Sequence, residues 1–457
     1  MTIQDNRIFI ESIGSFLSGS FPVDFGVNKK NQLVRLIYEI CMGQGMALDA
    51  LKAKIDPERM LESGKGELFH RLKKYLLDMR YPSAAGEKGD PRLMPLKISE
   101  RSRECSVWDF RFNPGNIFIE EGAMEFEWTR DFLKNFPSAR CHSIKDLKEG
   151  LVKIQGGDPL ARYDARRDNL FLVKAKSAHI KICPCTKGYK RCGYWILNIG
   201  FGCPIDCSYC YLQQYSNSPG IVLAVNIESY FDAIIDFDKS LSGMTRIGTG
   251  EFTDSLALDK YTKYSSQLIP FFRKTKNLVL ELKTKVADIT NVLKEEPHGN
   301  VVVSWSINTP GIAEKYEKGA SCIRDRINSA ERAAEKGFGI GFHFDPIVFY
   351  PGWEDEYRKV INDMFSHESI RKNTRWISLG TLRYTPGLKQ IAEERFGDNL
   401  MYYQGEFVPD TDGKLRYPRA ARMDIYKKMV QWIRAFDTSA WIYLCMEPAS
   451  SWQEIDL

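Results

Sequence analysis

Cys203, Cys207 and Cys210 stand at C-x3-C-x2-C spacing in the stretch CPIDCSYC. Three thiolates on one short loop can hold three irons of a [4Fe–4S] cube, leaving the fourth iron open to an outside ligand. A zinc site reads differently, because it closes its tetrahedron with a second pair of Cys or His ligands. No Cys or His follows Cys210 until His298, so a local zinc knuckle lacks its second half. The bland alternative is three reduced thiols packed as small hydrophobes.

Such a loop needs a rigid support. Residues 193–200 (GYWILNIG) read as a buried strand, with Gly200 and Gly202 freeing the turn that follows. A strand running into a ligand-bearing loop is how parallel α/β folds present chemistry at strand carboxyl ends. Downstream the pattern alternates, predicting helices over 229–239, 265–272, 289–293, 323–336 and 357–365. Strands are predicted over 246–250, 278–283, 301–307, 340–344 and, as the last, 376–382. Six alternations counted from the cluster strand predict a parallel sheet curled into a partial (β/α)6 barrel, with ligands at the strand carboxyl ends. The fold class is α/β, with an N-terminal helical addition and a C-terminal cap.

At this point the residues resemble the radical S-adenosylmethionine enzymes. The run Tyr209-Cys210-Tyr211-Leu212-Gln213 narrows the resemblance to the spore photoproduct lyase family, over roughly 117–448. The resemblance implies a [4Fe–4S] cluster on Cys203, Cys207 and Cys210. It also implies S-adenosylmethionine chelated to the open iron through its amino and carboxylate groups, and cleavage to a 5′-deoxyadenosyl radical. A one-electron donor such as flavodoxin or ferredoxin is implied as partner. The substrate class it implies is a damaged or modified nucleic-acid base. Radical chemistry on a different, non-DNA substrate is the alternative, and a metal-stabilised nucleic-acid-binding protein without catalysis is the remote one.

The strand ends carry the matching polar residues. Glu251, Thr253 and Asp254 follow the second strand, where carboxylates can accept bonds from an ammonium. The resemblance puts a Gly-Glu pair here for the methionine amino group. It assigns Lys285 to the methionine carboxylate, Ser306 and Asn308 to the cofactor, and Asp345 to the ribose. Each of these residues has a plain loop-bonding or surface reading as well. Tyr211, with Tyr209 beside it, resembles the tyrosine of the family's radical relay.

Two departures stand out. Glu251 occupies the position of the cysteine that returns a hydrogen atom to the thymine radical in the family. A carboxylic O–H bond is too strong for that task, so little or no clean repair of that lesion is expected unless another thiol substitutes. Cys183, Cys185 and Cys192, read as structural thiols with a second metal as the alternative, are the nearest source. The second departure is a hairpin over 407–417, turning at Asp412-Gly413, in place of the family's basic aromatic hairpin. Lys414, Arg416, Arg419 and Arg422 nearby keep DNA contact open.

Composition sets the outer bounds. With 457 residues, 43% hydrophobic and 27% charged, the chain reads as an ordinary globular protein of two or three domains. The expected boundaries are a helical domain over 1–95, a small α/β segment over 113–190, the barrel over 191–385 and the cap over 386–457. Helices are predicted over 31–55, broken at Gly43 and Gly45, and over 59–80, followed by a linker over 82–95. Arg162, Arg166 and Arg167 read as a basic run on a loop, solvated or in phosphate contact. The net charge of +5 permits a nucleic-acid partner without proving one. No apolar run is long enough to span a membrane, and no signal peptide opens the chain, so a cytoplasmic location is expected. Eleven cysteines in that compartment point to metal or catalytic use rather than disulfides.

Overall fold

The structure is a computed structural model describing residues 3–61, 67–84, 112–154, 159–175, 179–216, 218–396, 399–436 and 438–457. Most of the linker expected over 82–95 lies outside the described residues. The chain divides into two compact units, one built from 1–106, 348–353 and 381–424, the other from 107–347, 354–380 and 425–457.

In the first unit, Leu33, Ile37 and Ile40 recur at helical spacing and are buried along the helix Gly26–Gln44. Gly45, at φ 61°, takes the left-handed conformation that ends it. Two further helices, Pro57–Leu61 and Leu68–Arg80, cover the second predicted stretch. Their inner faces enclose charge as well as hydrocarbon. Glu39, 2% exposed, accepts from Arg35 at 2.7 Å, Lys389 at 3.0 Å and Arg80 at 3.2 Å. Glu393 completes the group by pairing with Arg35 at 3.0 Å. Burial would raise the Glu39 carboxyl, but Lys389, Arg35 and Arg80 outweigh it and hold it well below the usual carboxylate range.

The hairpin of Val408–Pro409 and Leu415–Arg416 forms as predicted, but its charges are spent internally. Arg416, 1% exposed, forks onto Asp412 at 2.7 and 2.9 Å, and Lys414 sits on the same carboxylate at 2.8 Å. Arg422, also buried, donates to the Tyr417 carbonyl at 2.6 Å. Three of the four basic residues read as DNA contacts are therefore committed to the fold, because Asp412 and the Tyr417 carbonyl lie within local reach.

The second unit is an α/β body around an eight-stranded sheet. Its strands are β1 (His179–Ile182), β2 (Trp195–Asn198), β3 (Thr245–Gly248), β4 (Leu278–Thr284), β5 (Val301–Ser306), β6 (Gly339–Ile347), β7 (Thr374–Thr381) and β8 (Trp441–Leu444). They lie in sequence order across the sheet, with β1 antiparallel to β2. Parallel pairs join β2 to β3, β3 to β4, β4 to β5, β5 to β6 and β7 to β8. This is the expected curled half-barrel. Two predictions need correcting: β7 is not the last strand, since β8 pairs beside it, and 289–293 holds only a 3-10 turn at Val292–Lys294.

A second sheet packs the strands in the order 140–144, 116–120, 169–173, 221–224 and 200–201. The first four are parallel and the last is antiparallel. Phe118, Ile144, Phe171 and Val222 form its core. The chain steps from β2 directly into this sheet at Gly200–Phe201 and only then enters the cysteine loop.

Inside the half-barrel the strands alternate apolar and polar residues, so polar groups two apart face inward. Glu281, fully buried on β4, accepts from Ser304 at 2.6 Å, His343 at 2.7 Å and Trp376 at 2.8 Å. Arg246 lies 3.6 Å from Glu281 and 4.7 to 5.0 Å from the rings of Tyr443, Trp376 and Tyr194. Gly248 makes room for this stack, since a Cβ there would stand 2.3 Å from the Tyr194 hydroxyl.

Replacing Glu39 by Gln should leave the cations around it without their anion and destabilise the protein by about 3–5 kcal/mol near neutral pH. Its carboxyl is depressed in the folded state, so the stability it lends is present above the unfolded value near 4 and fades as pH falls below it. Thermal melts from pH 7 to pH 3 should show the gap between wild type and Glu39→Gln narrowing. A gap that is constant or widens toward acid would overturn this assignment.

Candidate active site

Cys203, Cys207 and Cys210 share one loop whose backbone is tied down on every side. Arg166, 1% exposed, donates from Nε to the Cys203 carbonyl at 3.1 Å and from Nη2 to the Ile205 carbonyl at 3.3 Å. The same Nη2 lies 2.9 Å from Asp206. Gln213 donates to the carbonyls of Cys207 at 2.9 Å and Ser208 at 3.0 Å. Gly202, at φ 92°, turns the chain into the loop, and its N–H meets the Phe252 carbonyl at 2.9 Å. Arg166 is thus a buried brace for the cysteine loop, not the solvated or phosphate-contacting charge read from the sequence. Its charge is tolerated because Asp206, inside the C-x3-C segment, neutralises it.

Asp206 and Cys207 form a short antiparallel bridge with Glu317 and Lys318. That bridge brings a buried carboxylate against the loop. Glu317 accepts from Arg326 at 2.6 Å and Lys285 at 3.0 Å, and from the Tyr209 hydroxyl. Burial works against its charge, but Arg326 and Lys285 more than compensate and bring it down to about 2. The phenol of Tyr209 is pushed up by burial and by Glu317. One negative charge faces two positive ones here, so the group presents a net positive charge beside the thiols.

The strand-end residues named from the sequence lie at or just beyond the carboxyl ends of β3, β4, β5 and β6. Asp254 uses Oδ1 for the N–H groups of Leu256 and Ala257 and for Thr284 Oγ1, and Oδ2 for the Lys285 N–H at 2.8 Å. It therefore fixes the backbone that carries Lys285. Thr253 adjoins it, with Oγ1 3.4 Å from the Asp254 carbonyl. Asn308 is 1% exposed and donates to the Pro346 carbonyl at 3.0 Å, while its Oδ1 accepts from Tyr357 at 2.5 Å. Ser306 is buried at the end of β5, and its carbonyl accepts from Arg326 at 2.8 Å. Glu251 and Asp345 are part-exposed and share a neighbour, Lys283. Burial opposes the charge of Lys283, and Glu251, Glu281 and Asp345 outweigh it and hold the ammonium. Tyr211 stacks on Tyr215 at 6.0 Å, one turn beyond the cysteine loop.

Sequence reasoning misplaced Arg166 on the surface and missed Glu317, Arg326 and the Glu281 group. Period-two polar residues in an otherwise apolar strand, Glu281 and Lys283 in LVLELKT, were the available signal for the last.

The donor set fits an iron–sulfur cluster. Burial raises all three thiols, so bare thiolates here are costly, and bound iron supplies the positive charge that offsets this. Among the described residues no three His, Cys, Asp or Glu are placed to hold a single metal ion, these three included. Ligands to separate irons of a cube stand farther apart than ligands to one ion.

Glu317→Leu alone should cost about 3–5 kcal/mol, because it strands Arg326 and Lys285 in the interior. Adding Arg326→Met should recover part of that loss in denaturant unfolding. Strictly additive losses would mean that the two charges are not coupled.

A family profile described as spore photoproduct lyase matches residues 112–436. The spore photoproduct lyase of Clostridium acetobutylicum is 24% identical over 247 residues, covering 54% of this chain and 72% of that protein. The enzyme of Bacillus subtilis is 24% identical over 290 residues, covering 62% and 83%. A solved spore photoproduct lyase complexed with dinucleoside spore photoproduct superposes with a TM-score of 0.63 at 21% identity, over 73% of this chain and 99% of that one. A mutant form of that enzyme with bound AdoMet and dinucleoside spore photoproduct gives 0.62. No helix among the described residues is long and apolar enough to cross a membrane. With its profile match, its thiol loop and its half-barrel, the chain belongs to the spore photoproduct lyase family and is a radical S-adenosylmethionine enzyme with a [4Fe–4S] cluster.

Proposed function

We propose that this enzyme carries out lyase-type radical chemistry on a damaged or modified nucleic-acid base. The observation that carries the reading is the net positive Lys285–Glu317–Arg326 group set against the three-cysteine loop, at the carboxyl ends of β4 and β5. The names of its relatives, all spore photoproduct lyases, supply the substrate class.

Cys203, Cys207 and Cys210 hold the cluster. When bound, cluster and S-adenosylmethionine together supply an electron and a 5′-deoxyadenosyl radical. This chain's own residues do the rest. Lys285 orients the methionine carboxylate, its ammonium held by Glu317 at 3.0 Å and by the Tyr209 hydroxyl at 3.2 Å. Glu251 accepts from the methionine ammonium, while Thr253 and Asp254 shape its loop. Ser306 and Asn308 line the cofactor at the end of β5, and Asp345 receives the ribose hydroxyls. Tyr211 stands beyond the third cysteine as a relay phenol. Brace contacts from Arg166 and Gln213 keep the loop from yielding to water. A one-electron carrier of the flavodoxin or ferredoxin class completes the cycle.

Anaerobic, reconstituted protein should hold about four irons per chain on this loop. With a reductant and S-adenosylmethionine it should form 5′-deoxyadenosine. Alanine at Cys203, Cys207 or Cys210 should abolish both. Stoichiometric zinc, with no capacity to take up a cluster, would end the reading. Lys285→Ala and Glu251→Gln should keep the cluster and weaken S-adenosylmethionine binding about tenfold to a hundredfold, the worth of a charge-assisted bond. Unchanged affinity in both would dissociate the strand-end residues from the cofactor.

A further inference from the structure

Four cysteines outside the cluster loop gather where the two edges of the half-barrel approach. Cys183 extends the β1–β2 ladder, its N–H donating to the Tyr194 carbonyl at 2.9 Å. Directly opposed residues of an antiparallel pair share a face. The Tyr194 ring packs on Arg246 inside the barrel, so Cys183 faces the interior as well. Cys445 stands two residues beyond Tyr443, whose ring packs on the same guanidinium. It therefore faces the interior from the opposite edge.

The seam is stitched. Lys190 N–H donates to the Glu447 carbonyl at 3.2 Å, and Thr186 Oγ1 lies 3.9 Å from the Met446 sulfur. A tight turn, Cys185 N–H to Cys183 carbonyl at 2.8 Å, puts the Cys183 and Cys185 thiols in hydrogen-bond contact, within electrostatic reach of Cys445 and Glu251. Cys192 lies farther in, 3.3 Å from Arg246.

The other groups on this inner face include Glu251, Asp345, Lys283, Tyr194 and Tyr443, besides Glu281 and the Ser304, His343 and Trp376 side chains bonded to it. Carboxylic, hydroxyl and ammonium hydrogens are bound too strongly to be given up to a stabilised carbon radical. The two phenols are sealed against Arg246, at 6% and 2% exposed. A thiol S–H bond is weak enough, and Cys183 and Cys185 are part-exposed. The contact with Cys185, together with burial, raises the Cys183 thiol and keeps its hydrogen on sulfur.

We propose that Cys183, with Cys185 as its resolving partner, is the hydrogen source for the product radical in this enzyme. The proposal rests on the radical reading above and locates a donor that Glu251 cannot be. The product carbon radical takes a hydrogen atom from Cys183: a C–H bond forms and the S–H bond breaks, leaving a thiyl. Cys185 releases its proton to solvent and its sulfur joins the thiyl, and one electron leaves to the one-electron carrier class that primed the reaction, so the thiyl is resolved at Cys185 in place of a relay through Tyr211. A disulfide remains, and the pair has supplied one hydrogen atom, one proton and one electron. A small-molecule dithiol restores it. On this proposal the family-based expectation of failed repair gives way, because Cys183 supplies the thiol that position 251 lacks.

The test has two arms on anaerobic, cluster-loaded protein. In the first, the resting enzyme is equilibrated across ratios of reduced to oxidised dithiothreitol, and its thiols are mapped by differential alkylation and mass spectrometry. A reversible Cys183–Cys185 disulfide is expected, with Cys41, Cys141 and Cys322 remaining alkylatable. No such disulfide at any ratio, or iron beyond the first cluster bound to these cysteines, overturns the proposal. In the second, dinucleoside spore photoproduct is turned over in deuterated water with dithionite and S-adenosylmethionine. Deuterium is expected at the newly formed C–H bond, and Cys183→Ser and Cys185→Ser should each lower clean product by at least about tenfold. Both variants should still form 5′-deoxyadenosine and keep the wild-type melting point, which a merely structural role would not leave intact. Wild-type product yield and label in both variants would also overturn the proposal. Failure of the wild type to form 5′-deoxyadenosine would refute the radical reading, whereas 5′-deoxyadenosine without turnover of this dinucleotide would refute its substrate. In either case the thiol map of the first arm decides the proposal.

Discussion

Glu317 is the contact on which the site depends. A carboxylate with no exposure to solvent is costly, and this one exists because Arg326 and Lys285 converge on it while its own strand bridges Cys207. Three separate pieces of chain are thereby fixed to one another: the cysteine loop, the end of β4 and the helix Ile323–Lys336. The Tyr209 hydroxyl on the same carboxylate adds a fourth tie, from between the second and third cysteines. The arithmetic of the group leaves one positive charge over. Lys285 can answer a ligand's carboxylate without leaving Glu317 bare, because Arg326 still covers the other oxygen.

The inner face of the half-barrel applies the same logic one level down. Glu281 takes three hydrogen bonds on one oxygen, and Arg246 lies between aromatic rings that shield it from water. His343 is kept neutral by burial, despite the pull of Glu281. A rigid polar plug of this kind gives the strand ends above it a fixed floor. The interior of the barrel is thus held by directional bonds as well as by packing.

Much of this was legible in the sequence, and the part that was not has a common cause. The C-x3-C-x2-C loop, the β-α alternation and Lys285 at a strand end all follow from local spacing, and the helices 265–272 and 323–336 fall where periodicity placed them. What escaped depends on partners distant along the chain. The Glu317–Lys318 strand is two residues long and has no pattern of its own; it forms because Asp206 and Cys207 offer it an edge. β8 was missed because some sixty residues, most of them in the other unit, separate it from its neighbour β7. Arg166 looked like surface charge because its counter-ion, Asp206, lies forty residues away. The hairpin misled in the opposite sense. Its arginines and lysine were visible, but their satisfaction by Asp412 was not.

The passage of the chain from one sheet to the other has a mechanical consequence. Trp195–Asn198 belongs to the half-barrel, Gly200–Phe201 to the smaller sheet, and the first cysteine comes two residues later. The cysteine loop is therefore hung like a bridge deck with its near abutment in both sheets. Any ligand or substitution that slides the small sheet past the large one must drag Cys203 with it. Hydrophobic contacts around Phe171 and Val222, which hold Phe201 just before Cys203, thus act on the position of the first iron ligand. Damage to that core should be felt first as a loosened thiol and only afterwards as a loss of fold.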